Sequence, residues 1–314
     1  MFDRRVWFLV AGSWLAAAGA VAQPVPFQGG EVLSFDAPQV VGPPLKLKGY
    51  LWKPTTPPKG AVVLMHGSGG WSAPREGHYG EALSKAGYAV LAIDSFGARG
   101  LTDTTEQQAN LPTLYMTKDA FAGRRQLIAL GYPPEKLAVM GFSKGGGVAL
   151  HAADRNFLPE EQDRFAVGIP VYPGCNVRLR EPKLANKLFF ALAEKDNYTG
   201  TKICQDIAED YRSRGGDIVV KVYPGALHSF DNDPAIGRET YLARAHSYRD
   251  CMVYLEPDGA YTYAGKRYQD GDLSIYRDMA RTCVKMGVSI GANAQQKAAF
   301  TADVIQYLDQ TLAP

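Results

Sequence analysis

Apolar residues along this chain fall into short unbroken runs, separated by stretches with a helical period. The runs at 61–65, 88–93, 137–140, 166–172, 188–193 and 218–223 are apolar or nearly so, as expected of strands covered on both faces. Residues 45–52 alternate apolar with polar side chains, which predicts a strand buried on one face only. Between the runs, the spacing predicts helices at 76–85, 118–130, from the turn at 141–145 to about 154, and at 201–214. A closing helix at 294–312 would place Phe300, Val304, Tyr307, Leu308 and Leu312 on one face. Strands alternating with helices imply an α/β fold, a mostly parallel, doubly wound sheet covered by helices on both faces. Residues 23–44, rich in Pro, Gly and Val, read as an extended lead-in. The rhythm breaks at about 248–287, where a hairpin at 254–263 turns around Pro257-Asp258-Gly259; this reads as an insertion before the final helix.

Composition adds little to that picture. The 314 residues are 46% hydrophobic and 21% charged, with a formal net charge of +2. Nothing in that balance calls for a nucleic-acid partner. The amino terminus does change the picture. Arg4 and Arg5 precede an apolar run at 6–18, followed by Ala20-Val21-Ala22 before Gln23. That order predicts a cleaved export signal over 1–22, leaving one domain at 23–314 in the periplasm or outside the cell. The run is shorter than the roughly 20 residues a membrane helix needs, so no stable anchor is expected after cleavage.

The candidate chemistry begins at Gly141-Phe142-Ser143-Lys144-Gly145. It follows an apolar strand directly and opens a helical stretch, the setting of a nucleophile elbow. A serine hydroxyl needs a base, and in such folds the acid and then the histidine follow the serine in the chain. His228 meets that order, in a loop after the strand at 218–223. His246 lies in a charged stretch that reads as a helix, where a solvated surface role is expected. The run 188–193 ends in Glu194-Lys195-Asp196-Asn197, and Asp196, past the strand end, is preferred to Glu194 as the acid. One oxyanion donor is expected from the backbone N–H of Lys144. The second is expected from His66-Gly67-Ser68-Gly69-Gly70, with Gly67 and Ser68 as candidates and His66 as a brace. Arg99 could hold a substrate carboxylate or, more in keeping with its surroundings, a carboxylate or carbonyl of its own loop. Pocket shape should depend on the loop at 101–117 and on the insertion.

Four cysteines remain to be placed. Cys175 and Cys204 follow neighbouring predicted strands at one sheet edge, and Cys251 and Cys283 bracket the insertion. In an exported chain this favours the pairs Cys175–Cys204 and Cys251–Cys283.

His66-Gly67-Ser68-Gly69-Gly70, the run from Asp94 through Phe96 and Arg99 to Gly100, Gly141-Phe142-Ser143-Lys144-Gly145-Gly146, Tyr172-Pro173-Gly174 and His228-Ser229-Phe230 together resemble the dienelactone hydrolase family. The resemblance covers about 45–230. It implies an α/β-hydrolase fold, an esterase or lactonase activity without metal or organic cofactor, and Ser143, Asp196 and His228 as the triad. The founding members of that family carry a cysteine where this chain has Ser143, and they lack the 248–287 insertion. The expected partner is a small ester or lactone. The alternatives are a serine peptidase on the same fold and an inactive, ligand-binding relative.

Overall fold

The structure, a computed structural model, describes residues 29–39, 43–269 and 271–312; the expected export signal lies outside them. The chain runs β1 (Glu31–Ala37), β2 (Leu45–Trp52), β3 (Gly60–Met65), α1 (His78–Lys85), β4 (Tyr88–Asp94), α2 (Thr113–Ala129), β5 (Leu137–Phe142) and α3 (Lys144–His151). It continues through β6 (Val167–Val171), β7 (Val177–Leu179), β8 (Lys187–Ala193), α4 (Thr201–Ser213), β9 (Ile218–Tyr223) and β10 (Thr240–Ser247). Last come β11 (Val253–Leu255), β12 (Tyr261–Tyr263), β13 (Lys266–Tyr268), α5 (Ser274–Thr282), β14 (Lys285–Ile290) and α6 (Ala294–Thr311).

Eight strands make the main sheet, in the order β1-β2-β4-β3-β5-β6-β8-β9. From β4 to β9 every neighbouring pair is parallel, while β2 is antiparallel to both β1 and β4. β3 shows why its sequence is continuously apolar. Val62 and Leu64 pack with Tyr79, Leu83, Phe300 and Val304 on one face. Ala61, Val63 and Met65 pack with Met116, Ala120 and Phe121 on the other. Both faces are thus removed from water, the condition for a parallel sheet.

Several expectations shift. The lead-in contains β1, paired residue for residue with β2. α2 begins at Thr113, directly after Pro112, five residues before the expected start; proline is tolerated at such a helix start but not inside. The stretch holding His246 is a strand rather than a helix. β10 pairs antiparallel with β14 and carries a register shift between Leu242 and His246. That irregularity, with several exposed side chains, hides the period of two that would mark it in the sequence.

The insertion folds as a small sheet of its own, in the order β13-β12-β11-β7. The hairpin β11–β12 is the one predicted. β7, outside the insertion, joins it by a parallel pairing of Val177, Arg178 and Leu179 with Val253, Tyr254 and Leu255. Cys251–Cys283 closes the segment, and Cys175–Cys204 links the chain after β6 to α4.

Candidate active site

The parallel strands β5, β6, β8 and β9 all end at one edge of the sheet, and each contributes to the same site. After β5 the chain turns sharply into α3. Ser143 sits in the turn with φ 55° and ψ −112°, a strained conformation for a residue with a Cβ. Its N–H donates to the Val171 carbonyl at 2.9 Å, which pins the turn to β6. Glycine is required on both sides. A Cβ on Gly141 would lie 2.1 Å from the Gly145 carbonyl oxygen, and one on Gly145 would lie 2.3 Å from that of Met65.

Ser143 Oγ lies 2.9 Å from His228 Nε2, and His228 Nδ1 lies 2.8 Å from Asp196 Oδ2. A carboxylate can only accept, so Nδ1 carries the proton and Nε2 is left as an acceptor facing the hydroxyl. The three sequence-selected residues therefore form one hydrogen-bonded chain. Asp196 is held from its far side too. Its Oδ1 accepts the N–H of Tyr198 at 2.8 Å and of Thr199 at 2.9 Å, and its Oδ2 accepts the Thr199 hydroxyl at 2.7 Å. Burial pushes this carboxyl up; the His228 imidazole and the Thr199 donors more than reverse that and hold it below the usual range. Glu194, the rival acid, instead accepts the Gly225 N–H at 2.7 Å and stays outside the chain.

His228 is flanked by two aromatic rings to which the sequence assigned no part in the site, Tyr172 at 4.6 Å and Tyr198 at 4.8 Å between centroids. The Tyr172 hydroxyl donates to the buried Asp231. Burial raises the Asp231 carboxyl, and the nearby Arg75 charge and tyrosine donors oppose this only in part. The Asp196-Asn197-Tyr198-Thr199 stretch did carry a signal: an Asp whose side chain captures backbone N–H groups two and three residues on is a known turn.

The loop after β3 lies directly against the serine. A Cβ on Gly67 would sit 3.3 Å from Ser143 Cβ, and Ser68 lines the cavity beside Ser143 and Lys144. His66 braces this loop. Its Nε2 accepts the Ser95 N–H at 3.2 Å, and its Nδ1 donates to the Gly67 carbonyl at 2.8 Å. Burial lowers its basicity and favours the neutral ring.

Two charged residues differ from a surface reading. Arg99 is turned away from the cavity. It grips Asp119 through both guanidinium ends at 2.8 and 2.9 Å and donates to the Ser95 carbonyl. The less favoured of its two expected roles, with a substrate carboxylate, is thereby corrected, because its fork is already filled by a carboxylate of α2. Lys144 buries its amine, which donates to Thr104 Oγ1 at 3.0 Å and to the Leu111 and Gln108 carbonyls at 2.7 and 3.2 Å. It ties the elbow to the 101–117 loop, and burial brings its pKa down to about 7.

A cavity of about 170 Å³ opens above Ser143. The loop before α2 supplies Gln108 and α2 itself Thr113 and Tyr115; the insertion supplies Tyr248, Tyr261 and Tyr276. His246 also lines it, so its expected purely solvated role is corrected: β10 carries its ring to the cavity wall.

Residues 47–256 match the dienelactone hydrolase family. The protein usf of Aquifex pyrophilus is 24% identical over 205 residues, which span 60% of this chain and 84% of that protein. A putative carboxymethylenebutenolidase of Aquifex aeolicus (strain VF5) is 32% identical over 102 residues, 32% of this chain and 42% of that protein. Among solved structures, Thermogutta terrifontis esterase 2 phosphoramylated by tabun superposes with a TM-score of 0.52 at 20% identity, covering 67% of this chain and 88% of that one. A putative dienelactone hydrolase from Klebsiella pneumoniae subsp. pneumoniae MGH 78578 gives a TM-score of 0.51 at 16% identity, covering 64% and 88%. These likenesses place the fold as that of the α/β-hydrolases.

Proposed function

The chain belongs to the dienelactone hydrolase family and is a carboxylic ester hydrolase; we propose that it cleaves esters or lactones through an acyl-enzyme on Ser143. The observation that carries this reading is the hydrogen-bonded chain Asp196–His228–Ser143, with its two links of 2.8 and 2.9 Å, at the floor of the cavity.

In the proposed mechanism His228 Nε2 takes the Ser143 proton as Oγ attacks the ester carbonyl. The carbonyl oxygen becomes an oxyanion. The Lys144 N–H, at the start of α3, and an N–H of the Gly67-Ser68 segment are its donors. The helix start adds a favourable partial charge at the same place. Asp196 keeps the imidazole in the productive tautomer and stabilises its cation. The tetrahedral intermediate then collapses, the C–O bond to the alcohol breaks, and His228 returns the proton to the leaving oxygen. Water repeats the two steps on the acyl-enzyme, releasing the acid and restoring the serine. No step calls on a metal or an organic cofactor.

The narrow cavity supports a small-molecule substrate over a polypeptide. The two disulfides support a working place in an oxidising compartment, in keeping with the export signal read at 1–22. No helix among the described residues is long and apolar enough to cross a membrane.

The test is hydrolysis of a short activated ester by the purified protein beside Ser143→Ala, together with labelling by a fluorophosphonate. Activity and label that both vanish in the variant support the reading. Equal activity in both proteins would refute Ser143 as nucleophile.

A further inference from the structure

The cavity above Ser143 is lined by tyrosines from five places along the chain. Tyr115 comes from α2, Tyr198 from beside Asp196, Tyr248 from the start of the insertion, Tyr261 from β12 and Tyr276 from α5. Tyr248 and Tyr276 already meet edge to face, with centroids 5.8 Å apart at 76°. Ile275 and Met279, one turn apart on α5, line the same space. A thioether beside rings and an aliphatic branch complete an environment suited to an aromatic guest.

Size narrows the guest. A cavity of about 150 Å³ with apolar walls takes up benzene. The present one, at about 170 Å³, has room for one ring, with the rest of the ester lying towards its open side.

Charge narrows it further. The lysine and the arginine at the cavity both have partners within the chain. The Lys144 amine is spent on Thr104, Gln108 and Leu111. Arg249 donates to the Asn197 carbonyl and faces Asp250 at 3.8 Å. Asp272 is a further lining residue and would repel an anion. His151 also lines the space, and burial keeps it neutral at ordinary pH. That leaves the His246 imidazole as the one basic group of the wall, among the described residues, that a carboxylate could meet, without the bidentate fork of an arginine and with Asp272 opposing it.

We propose that this cavity selects neutral esters carrying a single aromatic ring within a bond or two of the carbonyl, held by the tyrosines of α2, the Asp196 loop and the disulfide-closed insertion. The proposal rests on the ester-hydrolase reading of Ser143. Cys251–Cys283 closes the segment that carries Tyr276, which lowers the cost of ordering that ring on binding.

The experiment is a pH-stat comparison of matched pairs that differ only in ring saturation. Methyl phenylacetate against methyl cyclohexylacetate tests a ring on the acyl side. Benzyl acetate against cyclohexylmethyl acetate tests a ring on the alcohol side. We expect kcat/KM to favour the aromatic member about tenfold in one arm, the size of one or two ring–ring contacts. That arm identifies the half of the ester which enters the cavity. Adding a 4-carboxylate to the phenylacetate should lower kcat/KM by at least tenfold. In Tyr276→Leu the aromatic preference should fall towards one, and Tyr276→Phe should retain it. The wild-type pairs stand on their own should the leucine variant fail to fold.

Ratios near one in both arms, or a carboxylated ester hydrolysed as fast as the neutral one, would overturn the proposal and leave the serine hydrolase intact. Absence of hydrolysis of every ester, with Ser143 unlabelled by a fluorophosphonate, would overturn both.

Discussion

Replacing Asp196 by asparagine should harm turnover more than replacing it by alanine, and the geometry says why. Asp196 Oδ1 accepts two backbone N–H groups, from Tyr198 and Thr199. An amide nitrogen placed there would face two obligate donors in a buried site, at a cost of about 1–3 kcal/mol for each unsatisfied group. The asparagine oxygen therefore takes the Oδ1 position, and its NH2 takes the Oδ2 position, 2.8 Å from His228 Nδ1. A donor now faces Nδ1, so the ring must present a lone pair there and carry its proton on Nε2. That proton points at Ser143 Oγ, 2.9 Å away, and the base has become a donor. The loss expected from a wrong tautomer is about 10⁴-fold in kcat, or about 5.5 kcal/mol, with KM little changed. Asp196→Ala imposes no tautomer. Thr199 Oγ1, 3.5 Å from Nδ1 and released from the carboxylate, is free to accept from it. The alanine variant should accordingly be the more active of the two. Pre-steady-state acylation by an activated ester, with both variants checked for native circular dichroism, measures the difference. An asparagine variant within tenfold of wild type, or an alanine variant slower than the asparagine one, would refute the tautomer argument.

Other perturbations have equally definite outcomes. His151 is neutral because burial lowers its pKa to about 4. The unfolded ring protonates near 6.5, so the contribution is whole above that pH and is lost as pH falls from about 6.5 towards 4, by about 3 kcal/mol. Urea midpoints between pH 7 and 4.5 should show this slope, and His151→Leu should flatten it. Arg99→Met would leave the fully buried Asp119 carboxylate without its cation. Stability should drop by about 3–5 kcal/mol, KM should hold steady, and Asp119→Asn in the same chain should restore part of the loss. Cys251→Ser with Cys283→Ser opens a loop of sequence separation 32, for which chain entropy predicts about 4 kcal/mol. Thermal melts should register it, and kcat/KM on ring-bearing esters should fall more than on ethyl acetate.

Much of the central sheet was legible because its strands are buried on both faces and so leave unbroken apolar runs. Ser143 and His228 stood out because each follows such a run, and Asp196 because it lies just past the end of another. The remainder depends on contacts distant in sequence. β7 has three residues and becomes a strand only by pairing with β11, some seventy positions on. β10 is half exposed and irregular, so its polar composition imitated a surface helix and misplaced His246. A lysine reads as a solvated side chain, and nothing local in Phe142-Ser143-Lys144 announces that the amine will be buried against Thr104 and Leu111. Arg99 was ambiguous for the same reason, since its partner lies on a helix twenty residues away. The tyrosine lining was invisible as a set, because its members are scattered from position 115 to 276.

The elbow's tight clearances have a consequence for how this molecule can change. With a Cβ at position 141 or 145 driven to within 2.3 Å of backbone oxygen, the floor of the cavity has almost no freedom to drift. The roof is under a different regime. It is a small sheet with its own staple, joined to the rest through β7 and the β10–β14 ribbon, and its ring-bearing positions could be exchanged without disturbing the reacting atoms. Apart from Tyr115 on α2 and Tyr198 beside Asp196, the tyrosine lining is thus carried by a part that answers to constraints separate from those of the chemistry. Remodelling the roof would change that part of the lining while the machinery beneath keeps its shape.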